Sequence, residues 1–300
     1  MTTNRRTFLS AAATALIGHA DAVLPSRIID THTHFYDPSR PQGVPWPDKS
    51  DAVLSRSVLP PEFGRLTAKY GRVQTVVVEA SPWLEDNQWL LDLAQKNTLI
   101  VGVVGNLNPG ITGFADHFRR FAKDPLYRGI RVAGSILIER AGSPSFRDDM
   151  KRLAEANLEL DAHIGAEAFR AVLQIADAVP SLRIVIDHLP FDDYGGLLHE
   201  IGDRPQIYAK VSYVLHMGTP RPVQTDLGSH RAALEQVCEE FGPDRVMYGS
   251  NWPVSNLVAP YHTIFELVRE FFSARGREAM EKYFWKNALS AYRCVQRDIG

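Results

Sequence analysis

The segment Asp30-Thr31-His32-Thr33-His34 places two imidazoles two residues apart. In an extended backbone, side chains at i and i+2 leave on the same side, so both rings can reach one ion. Imidazole is the commonest protein ligand for a borderline cation such as zinc, and a catalytic zinc keeps one position open for water. On this reading His32 and His34 hold a divalent metal, with zinc first among the candidates. Such an ion polarises a carbonyl or lowers the pKa of its bound water. Further imidazoles stand in Asp161-Ala162-His163 and Asp187-His188. His188 and His163 are candidate bases, His188 alternatively an electrophilic hydrogen-bond donor. Arg131 and Lys210 suit a substrate carboxylate or hydroxyl groups. Glu79 and Trp252 are expected at the substrate as well, and Trp46 and Trp83 can line the same sugar-sized pocket. Each of these has a plainer alternative, an ion pair inside the fold or core packing. Asp30, on the same side as His32 in an extended strand, is placed to orient that ring.

Eight short apolar runs position these residues. They are Arg27–Asp30, Val73–Ala80, Leu99–Asn106, Tyr127–Ala133, Leu158–Ile164, Arg183–His188, Ile207–Ser212 and Arg245–Ser250. The runs are rich in β-branched residues and continuous rather than alternating, as suits strands buried on both faces. Amphipathic helical patterns lie between them, over Asn87–Lys96, Gly113–Lys123, Glu167–Val179 and Ser229–Phe241. Strand and helix in repeated alternation mean parallel βα units. Eight of them predict an α/β protein of the (β/α)8 barrel type, a single domain over residues 23–300. An open doubly wound sheet is the alternative, but it needs a Gly-rich phosphate turn after an early strand. Thr31-His32-Thr33-His34 stands there instead. In a barrel the strand C-termini face the site, and all the residues named above fall at or near such ends. Pro38–Pro61 and Met217–Asp226 read as long loops, and Pro260–Tyr292 as two or three closing helices.

The 300 residues are 45% hydrophobic and 23% charged, with a formal net charge of −2. That composition supports a sizeable core, and it gives no electrostatic pull toward nucleic acid or an anionic membrane. The expected partner is a small-molecule substrate; nothing in the sequence speaks to an oligomer. The two cysteines, Cys238 and Cys294, lack metal-ligand spacing and read as small buried apolar residues. Asn4-Arg5-Arg6-Thr7-Phe8-Leu9, then an apolar run from Ala11 to Gly18 and small residues at Ala20-Asp21-Ala22, predict a twin-arginine signal over residues 1–22. The mature chain is then periplasmic or secreted, with no membrane span left after the signal is removed.

Several of these segments together resemble the amidohydrolase superfamily, in particular its branch of L-fuconolactonase-like and pyrone-dicarboxylate-lactonase-like hydrolases. They are Ile29-Asp30-Thr31-His32-Thr33-His34-Phe35-Tyr36-Asp37-Pro38, Pro45-Trp46-Pro47, Gly129-Ile130-Arg131, Asp187-His188-Leu189 and the stretch from Phe241 to Pro253. The resemblance covers nearly all of the chain after the signal. It implies a (β/α)8 barrel that hydrolyses lactones or related esters, some members with zinc and some without a metal. It also implies a site carried by His32, His34, His188 and an acid on the eighth strand. Here the sequence departs from the pattern: Gly249-Ser250-Asn251-Trp252-Pro253 has Asn251 where the acid usually stands. A carboxylate can take a proton from attacking water, and a neutral amide cannot. Either His188 or His163 is then the base, or the substrate differs, or activity is weak. A superfamily decarboxylase or amide hydrolase, and a weakened barrel that only binds a sugar-like ligand, are the competing readings.

Overall fold

In the computed structural model, which describes residues 24–190, 196–215 and 223–298, all eight apolar runs are strands. They are β1 (Ile28–Thr33), β2 (Val73–Val78), β3 (Ile100–Gly105), β4 (Tyr127–Ala133), β5 (Glu159–His163), β6 (Arg183–Leu189), β7 (Ile207–Val211) and β8 (Val246–Tyr248). Every neighbouring pair is parallel and the order in the sheet is the order in the chain. The first and last strands meet just beyond β8: Thr33 bridges Trp252 in parallel, and the His34 backbone N–H donates to the Trp252 carbonyl at 2.9 Å. The result is a nearly closed (β/α)8 barrel wrapped by helices, a single domain. The signal predicted over residues 1–22 lies outside the described residues, as does most of the Met217–Asp226 loop. No helix among the described residues is long and apolar enough to cross a membrane.

The helices between strands are α1 (Pro60–Thr67), α2 (Leu84–Gln95), α3 (Phe114–Phe121), α4 (Gly134–Arg140), α5 (Pro144–Glu155), α6 (Phe169–Ala178), α7 (Leu198–Gly202) and α8 (Leu227–Phe241). Proline at the start of α1 and α5 suits a position whose N–H has no intrahelical partner. Ser143 caps α5 and Asp226 caps α8 by accepting from the backbone three residues on. The predicted closing tail is α9 (Tyr261–Ser273), α10 (Arg277–Glu281), a π-helical turn over Lys282–Lys286, and α11 (Asn287–Tyr292).

Two apolar layers result. The larger lies between the sheet and the helices, and includes Phe63, Phe121, Phe146 and Phe271. The smaller fills the barrel itself with Ile29, Val76, Val78, Val101, Val185 and Met247, packed against Ala288, Ala291, Tyr292 and Cys294 of the tail. Arg183 at the start of β6 donates to the Ala291 carbonyl at 2.6 Å, so the tail covers the end of the barrel opposite the strand C-termini. Both cysteines are free, Cys294 buried and Cys238 half-buried, as their reading as small packed residues required.

One local feature changes the geometry expected around the first strand. β1 runs on to Thr33, past the predicted end at Asp30, and its register against β2 slips between Asp30 and Thr33. A register irregularity breaks simple alternation of side chains. Asp30 therefore does not orient the His32 ring. Its Oδ1 accepts the backbone N–H of His32 at 3.2 Å and of Ser250 at 2.8 Å, tying the ends of β1 and β8 together. Burial raises its pKa to about 6, against those hydrogen bonds.

Candidate active site

The strand C-termini open onto a cavity of about 820 Å³, within the range of small-molecule sites. His34, Glu79, Arg131, His163, His188 and Asn251 all line it, and so does Trp46. Six positions expected at the site are thus brought together from β1, β2, β4, β5, β6 and the turn after β8. His188 and Asn251 both sit in the left-handed region, with φ of 63° and 58°, a conformation uncommon outside glycine and tolerated best by Asn. At the very ends of strands, it turns each residue toward the mouth.

Three expected substrate contacts lie elsewhere. Lys210 is fully buried beneath the cavity, its Nζ 2.6 Å from Asp161 Oδ2 and 2.8 Å from Asp187 Oδ1. An ammonium that far inside is kept charged by carboxylates, and these two outweigh the burial and raise its pKa. Trp252 is 2% exposed and packs between Phe35 and Phe63, with ring centroids at 6.2 and 5.6 Å. It is core, placed there by the closure of β8 on β1. Trp83, at the start of α2, is 38% exposed, and the cavity lining does not include it.

The electrostatic centre is Asp187, which stands in the sequence only as the neighbour of His188. Its Oδ2 accepts from Arg131 Nε at 2.9 Å, Lys210 faces Oδ1, and His32 Nδ1 stands 3.5 Å from Oδ1. Burial opposes its charge, but Lys210, His32 and Arg131 hold its pKa well below the ordinary carboxylate range. Arg131 also donates from Nη2 to His188 Nε2 at 3.0 Å and stands 3.6 Å from Glu79. Below, Asp161 takes Lys210 on one oxygen and the Tyr292 hydroxyl, at 2.7 Å, on the other. Glu159 lies deeper still, with a glycine opposite: a Cβ on Gly129 would come within 1.9 Å of its Oε1. Burial, and then Asp161, push the Glu159 pKa well above the usual carboxylate range.

All four imidazole pKa values are lowered, which favours the neutral rings. Desolvation by the surrounding protein is the largest cause in each case, even for His163, whose ring is exposed at the cavity mouth, with Arg131 next for His34 and His163. His34 is lowered to about 3 and His163 to about 4. Hydrogen-bond partners fix two tautomers. His34 Nδ1 faces the carbonyls of Val78 and Glu79, at 3.0 and 3.1 Å, so it carries the proton and leaves Nε2 free. A guanidinium only donates, so His188 Nε2 is the acceptor there and its Nδ1–H meets Ser212 Oγ at 3.0 Å. His188 therefore has no lone pair left to act as a base. His163 makes no hydrogen bond among the described residues.

For a metal, His34 falls outside the grouping that has the right composition. His32, Asp187 and His188 each present an atom within 4.8 Å of the other two. Both His32 ring nitrogens are buried without a hydrogen-bond partner, which calls for a guest beside them. The other two members are already engaged, Asp187 by both cations and His188 by Arg131 and Ser212. As these side chains stand, they do not fit a divalent ion.

The pocket wall formed after β1 has its own anchor. Arg40 donates to both oxygens of Asp86 in α2, at 2.8 and 3.1 Å, and lies over the Trp89 ring at 4.6 Å. This clamp holds the segment that carries Trp46, whose ring centroid is 6.1 Å from that of His34. Replacing Arg40 with Ala is expected to raise KM about tenfold and to change kcat less than about threefold, because it frees a wall that orients substrate rather than a reacting group. Steady-state kinetics check this; an unchanged KM removes Trp46 from substrate binding.

The family model described as amidohydrolase matches residues 29–294. Among curated proteins, an L-fucono-1,5-lactonase of Burkholderia ambifaria is 29% identical over 243 residues, spanning 78% of this chain and 82% of that protein. Another L-fucono-1,5-lactonase, of Burkholderia multivorans, is 26% identical, spanning 89% of this chain and 95% of that one. Among solved structures, an amidohydrolase from Burkholderia multivorans with bound zinc has the same fold, with a TM-score of 0.80 at 22% identity over 90% of this chain and 100% of its own.

Proposed function

This chain belongs to the amidohydrolase family and is a hydrolase, and from that premise we propose that it opens a sugar-derived lactone by attack of water on the ring carbonyl. The observation that carries the proposal is the convergence of Arg131, Asn251 and the neutral His163 on one cavity at the strand C-termini. Its similarity to two proteins named L-fucono-1,5-lactonase supports the same reading.

The roles follow from hydrogen-bonding capacity. Arg131 has five N–H donors and uses Nε on Asp187 and one Nη2–H on His188, so it has donors left for a carbonyl oxygen as negative charge develops there. The Asn251 amide can donate to the same oxygen. His163 takes the proton from water as its oxygen bonds to the carbonyl carbon. It returns that proton to the ring oxygen when the carbon–oxygen bond breaks, which gives the open hydroxy acid. The substitution of an amide for the usual acid is in this scheme a change of base, not a loss of function.

The charge of the lining bears on the substrate. Among the described residues Arg131 is the one fixed cation lining the cavity, and Asp187 and Glu79 stand against it. That favours a neutral polyhydroxy lactone over a dicarboxylate, which would need further cations. The test is acid release from sugar 1,5-lactones and from a pyrone dicarboxylate, by wild type and Asn251→Asp. Wild type is expected to turn over a sugar lactone faster than the dicarboxylate. An inactive wild type beside an active Asn251→Asp would instead make the native chain a binding barrel. The sign of the pH dependence is also set: His163 must be neutral, so kcat/KM is expected to hold from pH 7 down to about 5 and then to fall about tenfold per unit below about 4. A fall centred near pH 6.5 would mean an unperturbed histidine and a different base.

A further inference from the structure

His32, Asp187 and His188 have the composition of a divalent-metal site, yet two buried cations already hold the positions an ion would need. Arg131 donates to Asp187 Oδ2 at 2.9 Å and to His188 Nε2 at 3.0 Å, engaging one ligand atom of each. Lys210 Nζ stands 2.8 Å from the remaining oxygen of Asp187. The second nitrogen of His188 faces Ser212 Oγ at 3.0 Å, so that ring has no free lone pair either. Only His32 keeps its ring nitrogens without hydrogen-bond partners. Of these three residues only His32 is unengaged, and the free Nε2 of His34 lies outside the group, so an ion that requires about four donors would have to displace the cations from Asp187 and His188.

The neighbouring charges agree. Lys210 pairs with Asp161 and Asp187, and Arg131 with Asp187 and Glu79. A dication added among them would sit at close range to a guanidinium and an ammonium whose side chains are 10% and 0% exposed. Like charges at that range in a poorly solvated site repel strongly.

We propose that in this chain Arg131 and Lys210 take the place of a metal ion: they supply the centre's positive charge, and they exclude zinc from His32, Asp187 and His188. The unpartnered nitrogens of His32 then receive a neutral guest, a water molecule or a group of the substrate. The inference concerns ion binding alone and does not depend on which ester the site hydrolyses.

The experiment measures zinc directly, with no reference to turnover. The full chain, purified without chelator, is equilibrated with micromolar zinc and its bound metal is counted by mass spectrometry. The same is done for His32→Ala, Arg131→Met and Arg131→Met/His32→Ala. Wild type is expected to bind no more zinc than His32→Ala does. Arg131→Met uncovers His188 and Asp187 and is expected to bind zinc at least about tenfold more tightly than wild type, a gain that His32→Ala abolishes. Near-stoichiometric zinc in wild type that disappears in His32→Ala would overturn the proposal, as would an Arg131→Met chain that folds yet binds no more tightly than wild type. If Arg131→Met does not fold, the comparison of wild type with His32→Ala still decides.

Discussion

Lys210→Met is expected to cost about 3–5 kcal/mol of stability, a large share of the roughly 5–15 kcal/mol typical of a native protein. The ammonium is wholly buried between Asp161 and Asp187, at 2.6 and 2.8 Å. Methionine fills nearly the same volume, so the change is one of charge. It leaves two carboxylates close together in the barrel with a single cation, Arg131, still touching one of them. Removing one partner of a buried pair costs more than the pair contributes, because the remaining charge is stranded. The Tyr292 hydroxyl would still donate to Asp161, which softens the effect without cancelling it. Urea unfolding followed by circular dichroism measures the loss. A second variant, Lys210→Met/Asp161→Asn, removes one of the stranded charges and is expected to be more stable than Lys210→Met alone. If Lys210→Met unfolds at the wild-type midpoint, or if the double variant is the weaker of the two, the charge balance drawn for this barrel is wrong.

The other large effect is on catalysis. His163→Ala is expected to lower kcat by about 10²–10⁴, the usual share of a general base, with little change in KM. His163 is the group in the cavity that combines exposure, neutrality and unengaged nitrogens. His188 is excluded by its bond from Arg131, and Asn251 by its chemistry. Because the cavity is open, added imidazole is expected to restore part of the lost rate to His163→Ala and none to Arg131→Met. The low-pH limb set by His163 is also expected to vanish from the residual activity. A His163→Ala enzyme with kcat within about threefold of wild type would transfer the base role to His34, whose Nε2 is also free, or to Glu79.

These two residues illustrate how much of the site was legible in the sequence. Strands buried on both faces read as unbroken apolar runs, and βα alternation leaves few topologies, so the barrel and the polar strand ends could be named in advance. His163, His188, Arg131, Glu79 and Asn251 reach the cavity because each falls at or just beyond a strand end. What the sequence could not carry was pairing across the barrel. Lys210 looks the same in a sequence whether it meets a substrate or two aspartates, and only the register of β5, β6 and β7 brings Asp161 and Asp187 to it. Asp187 was hidden for the same reason, as a neighbour of His188 rather than as the residue joining two cations and His32. The His32 and His34 pair misled in a specific way. Alternation along an extended strand put both rings on one ion; the ring centroids do lie 5.0 Å apart, with His34 Nδ1 on the carbonyls at the end of β2 and its Nε2 free, but the cluster of metal-ligand composition adds Asp187 and His188 to His32 rather than His34. Trp252 carried no sign of its burial, because the closure of β8 on β1 depends on contacts more than 200 residues apart in the chain.

The initial rate of acid release from L-fucono-1,5-lactone by the wild-type chain at pH 7, read with an indicator dye against spontaneous opening, tests the proposed lactone hydrolysis most directly. Catalysed release is expected to saturate with substrate and to be lost in His163→Ala. No release above background from this lactone or any other sugar 1,5-lactone, by a folded wild-type chain, would contradict the proposed activity.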